Sequence, residues 1–286
     1  MSRVAGADLI LPNFLLIGAA KAGTTALSRF LRQHPDVCFS RPKETWFFNR
    51  RYDRGVDWFS SHFEHYEGET AIGEGTAGCL ACPQAPARIA DVLPDVQLIG
   101  VLRNPIDRAF SHYFFYLYTG KADADHSFGQ VIRDEESEFG RKLVEHGKYI
   151  KHLRRYEQHF SRDQIEVVLH RSLRNELERV MRRLYKVLGV DASFMPDTES
   201  RHNVTKYPAS RRVYARLRKG WKAVSEQAER WMPEIVDHLR RKARGWLFNR
   251  EKPEMREKDR EYLRDLYEPY NRELSTYLGE DLSHWK

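Results

Sequence analysis

Asn13-Phe14-Leu15-Leu16-Ile17-Gly18, continuing as Ala19-Ala20-Lys21-Ala22-Gly23-Thr24-Thr25, is the stretch that decides the fold. Its first half is a short apolar run ending in glycine, the pattern of a buried strand. Over 24–33 the apolar residues fall at helical spacing, with Leu27, Phe30 and Leu31 on one face, and His34-Pro35 stops the helix. A strand, a glycine-bearing loop and a helix in succession make an anion-binding turn, because successive backbone N–H groups and a helix N-terminus both attract phosphate. Gly18 and Gly23 have the G-x-x-x-x-G spacing of a P-loop. A P-loop lysine would stand directly after the second glycine. Here that position is Thr24, and the lysine lies inside the loop at Lys21. The alternative is a plain glycine turn ahead of a helix.

Outward from this loop, strands alternate with helices up to about residue 190. Strands are predicted at 69–73, 96–102 and 165–169, and helices at 84–92, 105–118, 148–160 and 175–188. Pro105 opens its helix at the first turn, where proline is tolerated. The alternation implies a mostly parallel sheet covered on both faces. Further on the chain turns helical and basic, with helices expected near 209–230, 233–246 and 255–278. No shift in composition defines a linker. The expected organisation is a single domain over 1–286, with an α/β core at 13–190 and a helical C-terminal extension from about 209 to 286.

The second informative segment is Leu102-Arg103-Asn104-Pro105-Ile106-Asp107-Arg108-Ala109-Phe110-Ser111, which follows the strand at 96–102. Arg103 falls at the carboxyl end of that strand, where open α/β sheets place their ligand crevice. Ser111 lies two turns along the next helix. A guanidinium and a hydroxyl suit a phosphate, although such an arginine alone is more often a surface ion pair.

Together the two segments resemble the sulfotransferases that use 3′-phosphoadenosine 5′-phosphosulfate (PAPS). The strand, Lys21-Ala22-Gly23-Thr24-Thr25 and the helix are similar to the family's 5′-phosphosulfate loop, and Leu102 to Ser111 to its 3′-phosphate motif. Between them, Pro42-Lys43-Glu44-Thr45-Trp46-Phe47-Phe48-Asn49 is similar to the Glu-x-x-Phe-Phe segment of the heparan-sulfate-type branch. The likeness covers about 13–190 and again 263–285. It implies a P-loop-like, three-layer α/β sandwich around a central parallel sheet. It also implies site residues. Lys21, Ala22, Gly23, Thr24, Thr25 and Ala26 would hold the 5′-phosphosulfate, and Arg103 and Ser111 the 3′-phosphate. Glu44 would be the general base, and Lys21 would stabilise the leaving phosphate. His202-Asn203-Val204-Thr205-Lys206-Tyr207 resembles the late loop that closes over the nucleotide, with Lys206 as the contact; the usual Lys-Gly-Phe there is Lys206-Tyr207-Pro208.

The chemistry agrees with these types. In-line sulfuryl transfer needs a carboxylate to take the acceptor's proton and a cation at the departing oxygen. No metal is required in principle, and no run of carboxylates or histidines has metal-ligand spacing. Four residues stand as substrate-side candidates. Glu74, in Gly73-Glu74-Gly75, is a second acid at a strand end, where related enzymes commonly have a following lysine. Lys43 can assist the sulfuryl group or pair with Glu44. Trp46 can line the acceptor site, whereas Phe47 and Phe48 are expected in the core. Tyr149 opens a helix and either touches the acceptor or packs.

Composition narrows the rest. The 286 residues carry 48 Lys+Arg and 41 Asp+Glu, a net charge of +7. Residues 201–260 hold 18 basic and 8 acidic residues, so the remainder sums to −3. Such a surplus is either a solvated face or an anion-facing surface. No apolar run approaches the ~18–20 residues of a membrane span, and no signal-peptide core opens the chain; the expectation is a cytoplasmic enzyme with no nucleic-acid partner. Cys38, Cys79 and Cys82 are too few for a zinc ribbon. The leading expectation is sulfuryl transfer from PAPS to a hydroxyl, less often an amine, of a carbohydrate, lipid or secondary metabolite. A P-loop kinase is the alternative, opposed by the displaced lysine. A non-enzymatic polyanion binder comes last.

Overall fold

The computed structural model describes residues 9–119, 121–122, 125–198, 207–208, 248–249 and 253–286. The chain falls into two compact units, one made of Met1–Pro105, Lys148–Asn203 and Tyr267–Trp285, the other of Ile106–Gly147, Val204–Leu266 and Lys286.

The first unit is built on five parallel strands: β1 (Phe14–Gly18), β2 (Val37–Phe39), β3 (Ala71–Glu74), β4 (Gln97–Leu102) and β5 (Ile165–Leu169). Their order is β2-β3-β1-β4-β5. Every residue of β1 is buried. Because successive side chains of a strand point to opposite faces, both faces are covered at the sheet centre, as expected of parallel strands that read as apolar runs. Phe14 pairs in register with Gly73, and a Cβ at Gly73 would collide with the Phe14 ring. The chain leaves β1 toward one edge of the sheet and β4 toward the other. The β1–β4 boundary is therefore the topological switch point, where a ligand crevice opens beyond the carboxyl ends.

The helices of this unit are α1 (Thr24–Leu31), the short α2 (Phe47–Arg50) and α3 (Val56–Ser60), and α4 (Ala85–Val92). Pro105 starts α5 (Pro105–Thr119), which continues into the second unit with α6 (Phe128–Val131) and α7 (Glu138–Glu145). The chain returns as α8 (Tyr149–Glu157), α9 (His170–Asn175) and α10 (Leu177–Leu188). A last long helix, α11, runs Glu257–Leu278. The helix expected at 175–188 is α10, and a further short helix, α9, precedes it. The backbone leaves helical geometry at Glu176 (φ −134°, ψ 40°), and α9 starts directly from the end of β5.

In the second unit, Ser127 and Gln130 form a capping box on α6. Arg133 joins α6 to α11 through an ion pair with Asp259 (2.5 Å) and a hydrogen bond to the Lys258 carbonyl (2.9 Å). Arg108, wholly buried on α5, donates to His112 Nδ1 (3.2 Å) and to the Leu143 carbonyl. A two-residue antiparallel pair joins Tyr207–Pro208 to Phe248–Asn249. Of the expected C-terminal helices, only the last lies within the described residues.

Candidate active site

The loop between β1 and α1 is held by packing and by backbone shape. A Cβ at Gly18 would come within 2.7 Å of Leu80 Cβ and 2.9 Å of the Ala77 carbonyl, so only glycine fits. Lys21 and Gly23 adopt left-handed backbone (φ 69° and 109°), which is uncommon for a side-chain-bearing residue such as Lys21. Gly23 caps α1, which leaves the first amides of the helix facing the crevice. The Ala22 N–H donates to the Ala19 carbonyl (3.1 Å), closing the turn, and the Ala19 N–H donates to Val101 of β4 (2.8 Å).

Two cations meet at this loop. Arg103, just past the end of β4, donates from Nη1 to the Lys21 carbonyl (3.3 Å). The buried Tyr149, the first residue of α8, donates its hydroxyl to the Arg103 carbonyl (2.8 Å) and sets its ring against Trp285. Burial lowers the Lys21 ammonium pKa to about 8; the charge of Arg103 acts in the same direction and that of Glu44 opposes it. A buried ammonium beside a guanidinium is a site prepared for an anion.

Glu44 lies on the loop from β2 to α2. Its carboxylate is half-buried, with Oε1 3.6 Å from Lys43 Nζ and 3.5 Å from the Ala77 amide that donates to it. Glu74, by contrast, is buried at the end of β3 and enclosed by donors. Its Oε1 accepts from the Thr45 amide (3.0 Å), the Thr45 hydroxyl (3.0 Å) and the Thr76 hydroxyl, and its Oε2 from the Thr76 amide (3.1 Å). Burial raises the Glu74 pKa, and the threonine hydrogen bonds and Lys43 oppose that shift. Geometrically Glu74 is a staple, which binds the loop carrying Glu44 to the sheet.

Trp46, with left-handed backbone (φ 61°), donates its amide to Thr76 Oγ1 (3.1 Å). Its ring lies beside Gly78, and the Arg50 guanidinium stacks over it at 4.7 Å. Phe47 and Phe48 are buried in an aromatic cluster with Phe59. The pattern Glu-x-x-Phe-Phe thus has a physical meaning, because the two rings anchor the loop that presents the carboxylate.

The structure brings Lys21, Glu44 and Arg103 together at the switch point, with Tyr149 fixing Arg103 from behind. Ser111 is buried on α5, in the second unit. Lys206 lies outside the described residues. His170 was not singled out in the sequence. It is the first residue after β5, and its ring would touch a Cβ placed on Gly23 (3.1 Å). Position alone could have marked it, since it follows the carboxyl end of a parallel strand. Among the described residues no group of three or more His, Cys, Asp or Glu is placed to hold a metal, and no helix is long and apolar enough to cross a membrane. Cys38, Cys79 and Cys82 are free thiols.

Comparison with known proteins gives a consistent picture. A family model described as a sulfotransferase domain matches residues 11–278. The chain is 35% identical over 153 residues to a membrane-associated sulfotransferase, kil1, of Dictyostelium discoideum, covering 51% of this chain and 32% of that protein. It is 30% identical over 293 residues to the human bifunctional heparan sulfate N-deacetylase/N-sulfotransferase 1, covering 96% of this chain and 30% of that protein. The chain therefore spans about a third of the length of these curated relatives. In three dimensions it is similar to a sulfotransferase from Alicyclobacillus acidocaldarius, with a TM-score of 0.72 and 26% identity, covering 96% of this chain and 99% of that one.

Proposed function

Because the chain belongs to the sulfotransferase domain family, we propose that it moves a sulfuryl group from PAPS to a hydroxyl of a carbohydrate, lipid or secondary-metabolite acceptor, within a single sulfotransferase domain. The observation that carries this reading is the pairing of two cations, Lys21 and Arg103, at the switch point, with the half-exposed carboxylate of Glu44 acting on Lys21. The residues fit the nucleotide. The amides of Gly23, Thr24 and Thr25 and the Lys21 ammonium suit a 5′-phosphosulfate, while those of Ala22 and Ala26 are engaged within the loop; the Arg103 guanidinium suits the 3′-phosphate, to which the family likeness adds Ser111 and Lys206. When bound, the nucleotide supplies the sulfuryl group and a bisphosphate leaving group.

The chain's own residues do the rest. Glu44 accepts the proton of the acceptor hydroxyl as the new S–O bond forms. Lys21 neutralises charge developing on the departing phosphate oxygen, the kind of electrostatic stabilisation worth about 10²–10³ in rate for one donor. Trp46 and Arg50 present an aromatic and cationic wall beside Glu44, suited to orienting an acceptor. Names of the relatives include N-sulfotransferases, which brings an amine acceptor into consideration beside the hydroxyl.

The deciding experiment is calorimetry with adenosine 3′,5′-bisphosphate, followed by transfer from labelled donor to a panel of sugars, amino sugars, glycolipids and phenols. Nucleotide binding that is lost in Lys21→Ala, and transfer that is lost in a folded Glu44→Gln, are expected. Absence of binding at millimolar nucleotide would overturn the donor; full transfer by Glu44→Gln would remove Glu44 as the base.

A further inference from the structure

Lys43 is the most unusual charge in the first unit that the reading above leaves unused. Its Nζ is buried and has no hydrogen-bond partner among the described residues. The carboxylate oxygen it approaches is Glu44 Oε1, at 3.6 Å. Its path is fixed at both ends. The Lys43 carbonyl accepts from Ser40 Oγ (3.0 Å) and from the Gly75 amide (3.3 Å). Its side chain passes over Gly75, where a Cβ would stand 3.4 Å from Lys43 Cε and 3.0 Å from the Phe39 ring. A Cβ at position 75 would press on the Phe39 ring and only touch the lysine at ordinary contact distance.

The charges facing this ammonium are few. Burial lowers the pKa of this ammonium, Glu44 and Glu74 oppose that shift, and Arg32 adds to it weakly. Glu74 is already engaged by Thr45 and Thr76 on both oxygens. Glu44 is thus the carboxylate left to compensate Lys43. The Ala77 amide and the Lys21 ammonium, with Arg103 behind it, are the other groups that act on this region. A cation out of reach of water is tolerated when an opposite charge lies beside it.

We propose that Lys43 is a positioning residue for the reaction: its buried ammonium aims Glu44 Oε1 and supplies the positive charge that this carboxylate faces, and it does not itself touch the donor. This rests on Glu44 being the general base.

The test is the pH profile of kcat/KM for the unaltered enzyme, Lys43→Met and Lys43→Arg, with Glu44→Gln assayed beside them. Removing a cation about 4 Å from a carboxylate raises the carboxyl pKa by about one unit or more. The acid limb of Lys43→Met should therefore move up by about one pH unit, with KM for the donor nucleotide unchanged, and Lys43→Arg should bring the limb back. Should the Met variant fail to fold, Lys43→Gln carries the same comparison. An acid limb that stays in place in a folded variant overturns the proposal. So does complete loss of activity at every pH in folded Met and Gln variants, because a positioning group modulates the base and does not replace it. Activity retained by Glu44→Gln would instead strike at the base assignment, so the two failures are distinguishable.

Discussion

At the scale of single residues, the site depends on what burial does to charge. Burial brings the Lys21 pKa down to about 8, and in the proposed reading it is the charged form that holds the anionic nucleotide. As pH rises through 8 the free protein loses that proton, so binding at higher pH must take up a proton and grow weaker. Nucleotide affinity should be about tenfold weaker at pH 9 than near 7, with proton uptake seen by calorimetry in buffers of different ionisation enthalpy. Lys21→Arg, which does not titrate in this range, should flatten that dependence. Glu74 leads to a different expectation. Its four donors come from two separate segments, so Glu74→Gln leaves donors opposed to donors and should cost about 1–3 kcal/mol by chemical denaturation, with nucleotide binding retained. The sequence showed Lys21 and Arg103 through their places after glycine-bearing and strand-end positions, and Glu44 only through the family resemblance of its Glu-x-x-Phe-Phe segment. It could not show that Glu74 is surrounded by Thr45 and Thr76, because the first of these lies 29 residues away and only the pairing of β2 with β3 brings its loop close. Tyr149 was ambiguous in sequence for a similar reason: its partner is a backbone carbonyl, which no side-chain pattern encodes.

At the scale of elements, β1 and its loop are the most constrained piece of the molecule. Gly18→Ala sets a methyl against Leu80 and the Ala77 carbonyl, so a cost of about 1–3 kcal/mol in denaturant stability is expected, together with weaker nucleotide binding as the loop is displaced. A variant of unchanged stability and affinity would show that the close approach is not needed. The long strands and helices were readable because several residues repeat a period: β1, β4 and β5 differ from expectation by a residue or less, and α5 by one at its end. β2 was missed because three residues, Val37–Phe39, cannot display an alternation. The short helices α2 and α3 escaped for the same reason, and their aromatic residues serve a cluster rather than a single stripe.

At the scale of the whole molecule, the charge is uneven, and most of the surplus in 201–260 falls outside the described residues. A sulfuryl group carries less charge to neutralise than a phosphoryl group. Transfer should therefore proceed at the same rate in millimolar EDTA; a rate that collapses and returns with magnesium would point back to the kinase alternative. The strand order has one more consequence. Lys21 and Arg103 follow β1 and β4, while Lys43, Glu44 and Glu74 belong to the β2–β3 side. In the proposed reading, donor handling and proton handling fall on opposite flanks of a single central strand. Mutation can remodel one flank while the other keeps its geometry, so such a scaffold can change its acceptor over evolutionary time without relearning how to grip its nucleotide.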